Sequence, residues 1–218
     1  RRFAGFGKII KTSDESVETS YYHQGNGNSI VASETNDVPE KIGLLCQADI
    51  ADRSGSLFQT TINKWGSVSL GEASTFVPLN SRVQTDYDGD SDHRDSEMIF
   101  TYDETNGNLL SRVEGSGFIS NVKVDKGVYI LAALLKNVVI DRRTYHYTYA
   151  SNPLLNILGL PASERISDYA GKTVKETQYY YDTLTLGSVG RGDLTKKSEW
   201  VQSSKYISTG ASYDTLGQ

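Results

Sequence analysis

The stretch Tyr102-Asp103-Glu104-Thr105-Asn106-Gly107-Asn108 constrains this chain more than any other. An aromatic residue is followed by Asp, and then by a Gly that can take positive φ. Glycine removes the steric cost of that conformation, and Asp or Asn can hydrogen-bond its own turn. Met98-Ile99-Phe100-Thr101 precedes it and Leu109-Leu110-Ser111-Arg112-Val113 follows, both strand-like. The arrangement predicts a β-hairpin with a loop longer than the tightest kind. Tyr-Asp recurs at Tyr87-Asp88, at Tyr181-Asp182 and in Tyr213-Asp214-Thr215-Leu216-Gly217-Gln218. A hairpin repeated along a chain predicts a repeat architecture, in which each unit buries its apolar face against its neighbours.

The rest of the sequence reads the same way. Residues 8–12 and 17–23 read as strands around a turn at 13–16. Gly25-Asn26-Gly27-Asn28 reads as a flexible loop that residues 33–40 continue as a polar linker. Residues 44–50 and 57–65 form the next predicted hairpin, turned at Asp52-Arg53-Ser54-Gly55, and 81–87 is expected to pair with 98–102. Residues 119–125 could be another strand. Residues 128–140 leave strand and short helix open, because periodicity cannot decide so short an apolar run. Asn152-Pro153 and Leu160-Pro161 are expected to bound a loop. Hairpins are predicted for 162–167 with 172–182, and for 194–201 with 205–213. The fold class is therefore all-β, built from antiparallel hairpins. Alternation of polar and apolar residues is only partial, as in a sheet with a polar or solvated face.

Composition narrows the function classes. The formal net charge is -5 and the sequence pI is about 5.2, which argues against a partner held by nucleic-acid phosphates. No apolar run is long enough to span a bilayer. The chain has 14 Tyr against 6 Phe and 2 Trp, which suits half-buried strands whose tips reach water. A single cysteine, Cys46, excludes an intrachain disulfide and reads as a small packed hydrophobe.

The sharpest local chemistry is Asp86-Tyr87-Asp88-Gly89-Asp90-Ser91-Asp92, with Glu97 beyond. Asp86, Asp88, Asp90 and Glu97 fall at calcium-loop positions one, three, five and twelve, and hard oxygen ligands suit Ca²⁺. Ser91 stands where that loop requires Gly, and no flanking helices are predicted, so the expectation is an acidic hairpin loop that folds without calcium. His23, His93 and His146 lie apart, none with a second His or a Cys at ligand spacing, and read as structural. Gly5-Phe6-Gly7 and Gly187-Ser188-Val189-Gly190-Arg191-Gly192 read as turn glycines. No nucleophile elbow or phosphate loop is present, and the chain is expected to be no enzyme and to need no cofactor.

The Tyr-Asp pattern, closed by Gly-Asn or Gly-Gln, resembles the YD repeat of Rhs proteins, toxin-complex B/C cocoons and teneurins. Phe3-Ala4-Gly5-Phe6-Gly7-Lys8 followed by Tyr21-Tyr22-His23-Gln24-Gly25 resembles a segment preceding the repeats of long Rhs and virulence-plasmid-B-like toxins. The segments Tyr87-Asp88-Gly89-Asp90-Ser91-Asp92-His93-Arg94, Ile157-Leu158-Gly159-Leu160-Pro161 and Gln178-Tyr179-Tyr180-Tyr181-Asp182 resemble further segments in the same order. The resemblance implies an internal fragment of a longer secreted or cell-surface protein. Residues 1–85 would precede the repeats, and 86–218 would be a curved sheet within a YD-repeat shell. Its partners would be the rest of its own shell and an encapsulated C-terminal effector. No catalytic residue carries over. The alternative is a secreted or cell-surface β-sheet binding module for adhesion or carbohydrate binding, its partner a receptor or glycan, with Trp65, Trp200 and Tyr179 to Tyr181 as candidate stacking residues.

Overall fold

A computed structural model describes residues 5–71, 74–87, 93–119 and 141–214. Its regular structure is nearly all strand, with two short 3-10 turns. In the first half run β1 (Lys8–Thr12), β2 (Val17–Tyr22), β3 (Leu45–Ala51), β4 (Leu57–Trp65), β5 (Val68–Ser69), β6 (Thr75–Phe76), β7 (Leu79–Tyr87) and β8 (His93–Tyr102). In the second run β9 (Leu109–Ile119), β10 (Asp141–Asn152), β11 (Ile157–Ser167), β12 (Thr173–Tyr181), β13 (Leu194–Gln202) and β14 (Lys205–Gly210). Among the described residues, twelve strands form one sheet in the order β1-β2-β3-β4-β7-β8-β9-β10-β11-β12-β13-β14, so spatial order follows chain order. The small β5–β6 sheet interrupts the path from β4 to β7. No helix among the described residues is long and apolar enough to cross a membrane.

Most predicted hairpins are present, because Asp, Gly and Ser mark their turns. At Asp103 the expected turn chemistry is visible in full. The Thr105 backbone N–H donates to Asp103 Oδ1 at 2.8 Å, Asp103 N–H donates to the Asn108 carbonyl at 2.8 Å, and Gly107 has φ +78°. Residues 120–140, which include the ambiguous apolar run and most of the strand expected at 119–125, lie outside the described residues.

One loop expectation is corrected. Leu160-Pro161 does not bound a loop but lies inside β11. The chain leaves β10 through a short 3-10 turn, Pro153–Leu155, closed by Asn156 at φ +56°. Pro161 is tolerated in the strand because the register shifts beside it. Thr148 pairs with Ser163 and Tyr149 with Pro161, which leaves Ala162 as the extra residue of a bulge. A bulge is one of the few places in a sheet where the missing N–H costs little.

The described residues pack as two compact units, those up to 100 with 114–119 and 141, and 101–113 with 142–214. The boundary expected between 85 and 86 falls within the β7–β8 hairpin, where Thr85 pairs with Asp95 and Asp86 with Arg94.

The first unit has a largely polar interior. Asp49, Thr60, Thr85 and Asp95 pair directly across β3, β4, β7 and β8, so their side chains share one face. Thr60 donates to Asp49 at 3.0 Å and Thr85 to Asp95 at 2.7 Å. Buried hydroxyls with partners avoid the penalty of unpaired polar groups. This polar row is why the alternation in the sequence is only partial. The second unit has an apolar cluster of Ala150, Ala162, Tyr181 and Val189, with Ile157, Leu160, Tyr179 and Leu194 packed against it.

Candidate functional site

The site is built by residues 23–44, between β2 and β3. Two backbone hydrogen bonds close this loop. The His23 N–H donates to the Leu44 carbonyl at 3.0 Å, and the Gly43 N–H donates to the His23 carbonyl at 2.9 Å. Inside the loop no ladder is available, so its N–H groups need other acceptors. Asp37 supplies them: its Oδ1 accepts from Gln24 N at 3.1 Å and Gly25 N at 2.8 Å, and its Oδ2 from Asn26 N at 2.8 Å. Glu34 Oε2 accepts from the Ile30 N–H. Lys41, at the end of the 3-10 turn Pro39–Lys41, reaches inward and donates to the Thr35 carbonyl at 3.1 Å. Residues 33–40 are therefore not a plain polar linker. Glu34 and Asp37 are 4% and 6% exposed, and Lys41 is 2% exposed.

These groups converge on His23, which is 1% exposed. His23 Nδ1 lies 3.0 Å from Glu34 Oε1 and 3.2 Å from Asp37 Oδ1. Carboxylate oxygens only accept, so an unprotonated Nδ1 lone pair facing both would be repelled. With both acids ionised, a proton or a cation at Nδ1 suits this geometry. The contact with Asp37 is a hydrogen bond. The contact with Glu34 lacks hydrogen-bond geometry, and Glu34 Oε1 has no hydrogen-bond partner. Among the described residues, His23, Glu34 and Asp37 form the group whose donor atoms, all within 4.8 Å of one another, could hold a metal ion.

The surroundings tune the charges. Burial pushes the Asp37 carboxyl up, but the N–H groups of Gly25 and Asn26 together with His23 pull it down further, leaving it below the usual carboxylate range. Burial lowers the Lys41 ammonium, against the pull of the Asp37 and Glu34 charges. Cys46 is buried and its thiol donates to the Tyr21 carbonyl at 3.2 Å. Burial, then the Glu34 charge, push that thiol up to about 11. A protonated, enclosed thiol is a packing group and not a nucleophile.

The structure does not bring the calcium candidates together. Asp86 pairs with Arg94, whereas Glu97 pairs with Val83, without a register shift in the hairpin. Side chains alternate along a strand, so Asp86 and Glu97 stand on opposite faces and cannot bind one ion. Asp86 instead accepts from Gln59 at 2.8 Å and Gln84 at 3.0 Å. Asp88 and Asp90 lie outside the described residues. The stacking candidates are occupied locally. Trp65 and Trp200 donate their indole N–H groups to the Leu45 and Ser203 carbonyls. Tyr181 is in the apolar cluster, and Tyr180, on the opposite face, lies under Lys196 with Nζ 3.6 Å from its ring centroid.

The loop cluster was missed in the sequence because its acids follow His23 by many residues in irregular chain. The one available signal was a set of charged residues interleaved with Ile30, Val31, Val38 and Ile42, a pattern that fits neither a helix nor a strand. In comparisons with known proteins, no family model matches the chain and no curated protein matches it.

Proposed function

We propose that this chain is a structural segment of an Rhs/YD-repeat β-shell that encloses or presents an effector domain of the same secreted or cell-surface protein. The observation that carries the reading is the strand order, which follows the chain from β1 to β14. A sheet laid down strand after strand can be extended at either end, as a shell built from repeats requires. The Tyr-Asp pairs support it. Asp182 gathers four backbone N–H groups, from residues 190 to 193. Asp103 organises its own turn. The hydroxyls of Tyr181 and Tyr213 donate to the carbonyls of Pro161 and Leu194. The pair Tyr181-Asp182 thus ties its turn to the sheet with one anion and one aromatic tip. The function is architectural, and no residue is assigned a catalytic role.

The outer strands carry exposed apolar side chains, Ile10 on β1 at 56% and Ile207 on β14 at 67%. Unprotected edges with apolar side chains are templates for further pairing. Light scattering of the chain alone, across concentration, is expected to show association that recedes when flanking repeats are added at both ends. A monodisperse, cooperatively melting monomer would favour a self-contained binding module instead.

A further inference from the structure

We propose that His23, Glu34 and Asp37 bind a divalent transition-metal ion of the zinc or manganese class, which locks the 23–44 loop onto the end of β2. Three observations carry this. The donor atoms converge, with His23 Nδ1 at 3.0 Å from Glu34 Oε1 and 3.2 Å from Asp37 Oδ1. Donors bound at 2.0–2.2 Å around zinc stand about 3–3.5 Å apart, so an ion needs only a small expansion of the cluster. The second observation is the orphan acceptor. The Glu34 side chain is 0% exposed, and its Oε1 points at the histidine without a hydrogen bond. One Nδ1 proton serves Asp37 and leaves Glu34 Oε1 unsatisfied, which is costly for a buried carboxylate. A cation between them satisfies both oxygens and the ring nitrogen. The third is ligand type. One imidazole nitrogen with two carboxylates suits zinc or manganese, whereas calcium needs six to eight oxygens.

The flanking groups already hold the ligands in place. Backbone N–H groups of residues 24–26 fix the Asp37 carboxylate, and Ile30 N–H fixes the far oxygen of Glu34. Such outer partners orient metal ligands. Lys41 offsets part of the carboxylate charge, so affinity is expected to be moderate. The ion takes the place of the Nδ1 proton, which leaves to solvent, so the Nδ1–Asp37 hydrogen bond is exchanged for bonds from the ion to Nδ1 and to the Asp37 and Glu34 carboxylates.

The test uses the whole chain stripped with a chelator, then titrated separately with Zn²⁺, Mn²⁺ and Ca²⁺, reading bound metal per chain and melting temperature. One equivalent of zinc or manganese should bind and raise the melting temperature by roughly 5–10 °C at hundredfold excess over Kd, while calcium should do neither. Glu34→Gln keeps the shape and an acceptor for Ile30 but loses the anionic ligand, so it should abolish uptake. Asp86→Asn should leave uptake unchanged. His23→Gln should also abolish uptake, and if it does not fold, Glu34→Gln decides. Absence of uptake by the wild-type chain, or equal uptake by Glu34→Gln, would overturn the proposal.

Discussion

Asp86 and Glu97 stand on opposite faces of the β7–β8 hairpin, because Asp86 is paired with Arg94 and Glu97 with Val83. Two of the four ligands expected of a calcium loop therefore cannot meet. Calcium titration should leave the melting temperature unchanged. A large rise at low calcium, lost in Asp88→Asn with Asp90→Asn, would contradict this.

Asp182 has φ +54° and accepts hydrogen bonds from four successive N–H groups. Burial pushes its carboxyl up, but the N–H groups of Gly192, Gly190, Asp193 and Arg191 outweigh this and leave it lowered. A folded-state value below the unfolded one means the carboxylate stabilises fully above about pH 3.9, and this is lost as pH falls through the folded value. Asp182→Asn tolerates the left-handed backbone but drops the charge, and should cost about 1–2 kcal/mol at neutral pH. It should also flatten the acid limb of the stability profile. Asp182→Ala should cost more, because Ala adds backbone strain. Denaturant melts from pH 2 to 7 check both.

Tyr181 separates packing from hydrogen bonding. Its ring belongs to the cluster with Ala150, Ala162 and Val189, and its hydroxyl donates to the Pro161 carbonyl at 2.9 Å. Tyr181→Phe should cost about 1 kcal/mol and Tyr181→Ala about 3–5 kcal/mol. Equal losses in urea denaturation would show that the hydroxyl alone matters.

Gly25 and Gly27 both have positive φ, +67° and +80°. A Cβ at Gly25 would meet Pro39 Cα at 2.7 Å and Ile42 Cγ1 at 2.6 Å, while one at Gly27 would meet nothing within 4 Å. Gly27→Ala should therefore cost only the backbone term, about 1–2 kcal/mol. Gly25→Ala should cost clearly more, by displacing the turn that carries Lys41. Thermal melts of the two variants side by side make the comparison.

Sequence reading succeeded where local chemistry decides. The turn at Asp52-Gly55 and the turn at 168–171 are closed by aspartates that accept from residues two to four positions on, and such contacts are written in consecutive residues. The place of Pro161 inside a strand is not legible in the sequence, because its tolerance depends on a bulge opposite Tyr149 that only the partner strand reveals. The Asp49-Thr60-Thr85-Asp95 row was invisible for the same reason, since polar residues read as exposed until their cross-strand partners are known. His23 looked isolated because Glu34 and Asp37 reach it through a loop held by side-chain to backbone hydrogen bonds.

A segment of a shell, as we propose this chain to be, has a sheet that continues at both ends. The direct measurement is electron cryo-microscopy of the full polypeptide encoded by the reading frame that contains this chain. The expected result is further antiparallel strands hydrogen-bonded to β1 and to β14, in one wall surrounding an enclosed domain. Unpaired β1 and β14 edges on a free-standing domain, with no enclosed density, would contradict it.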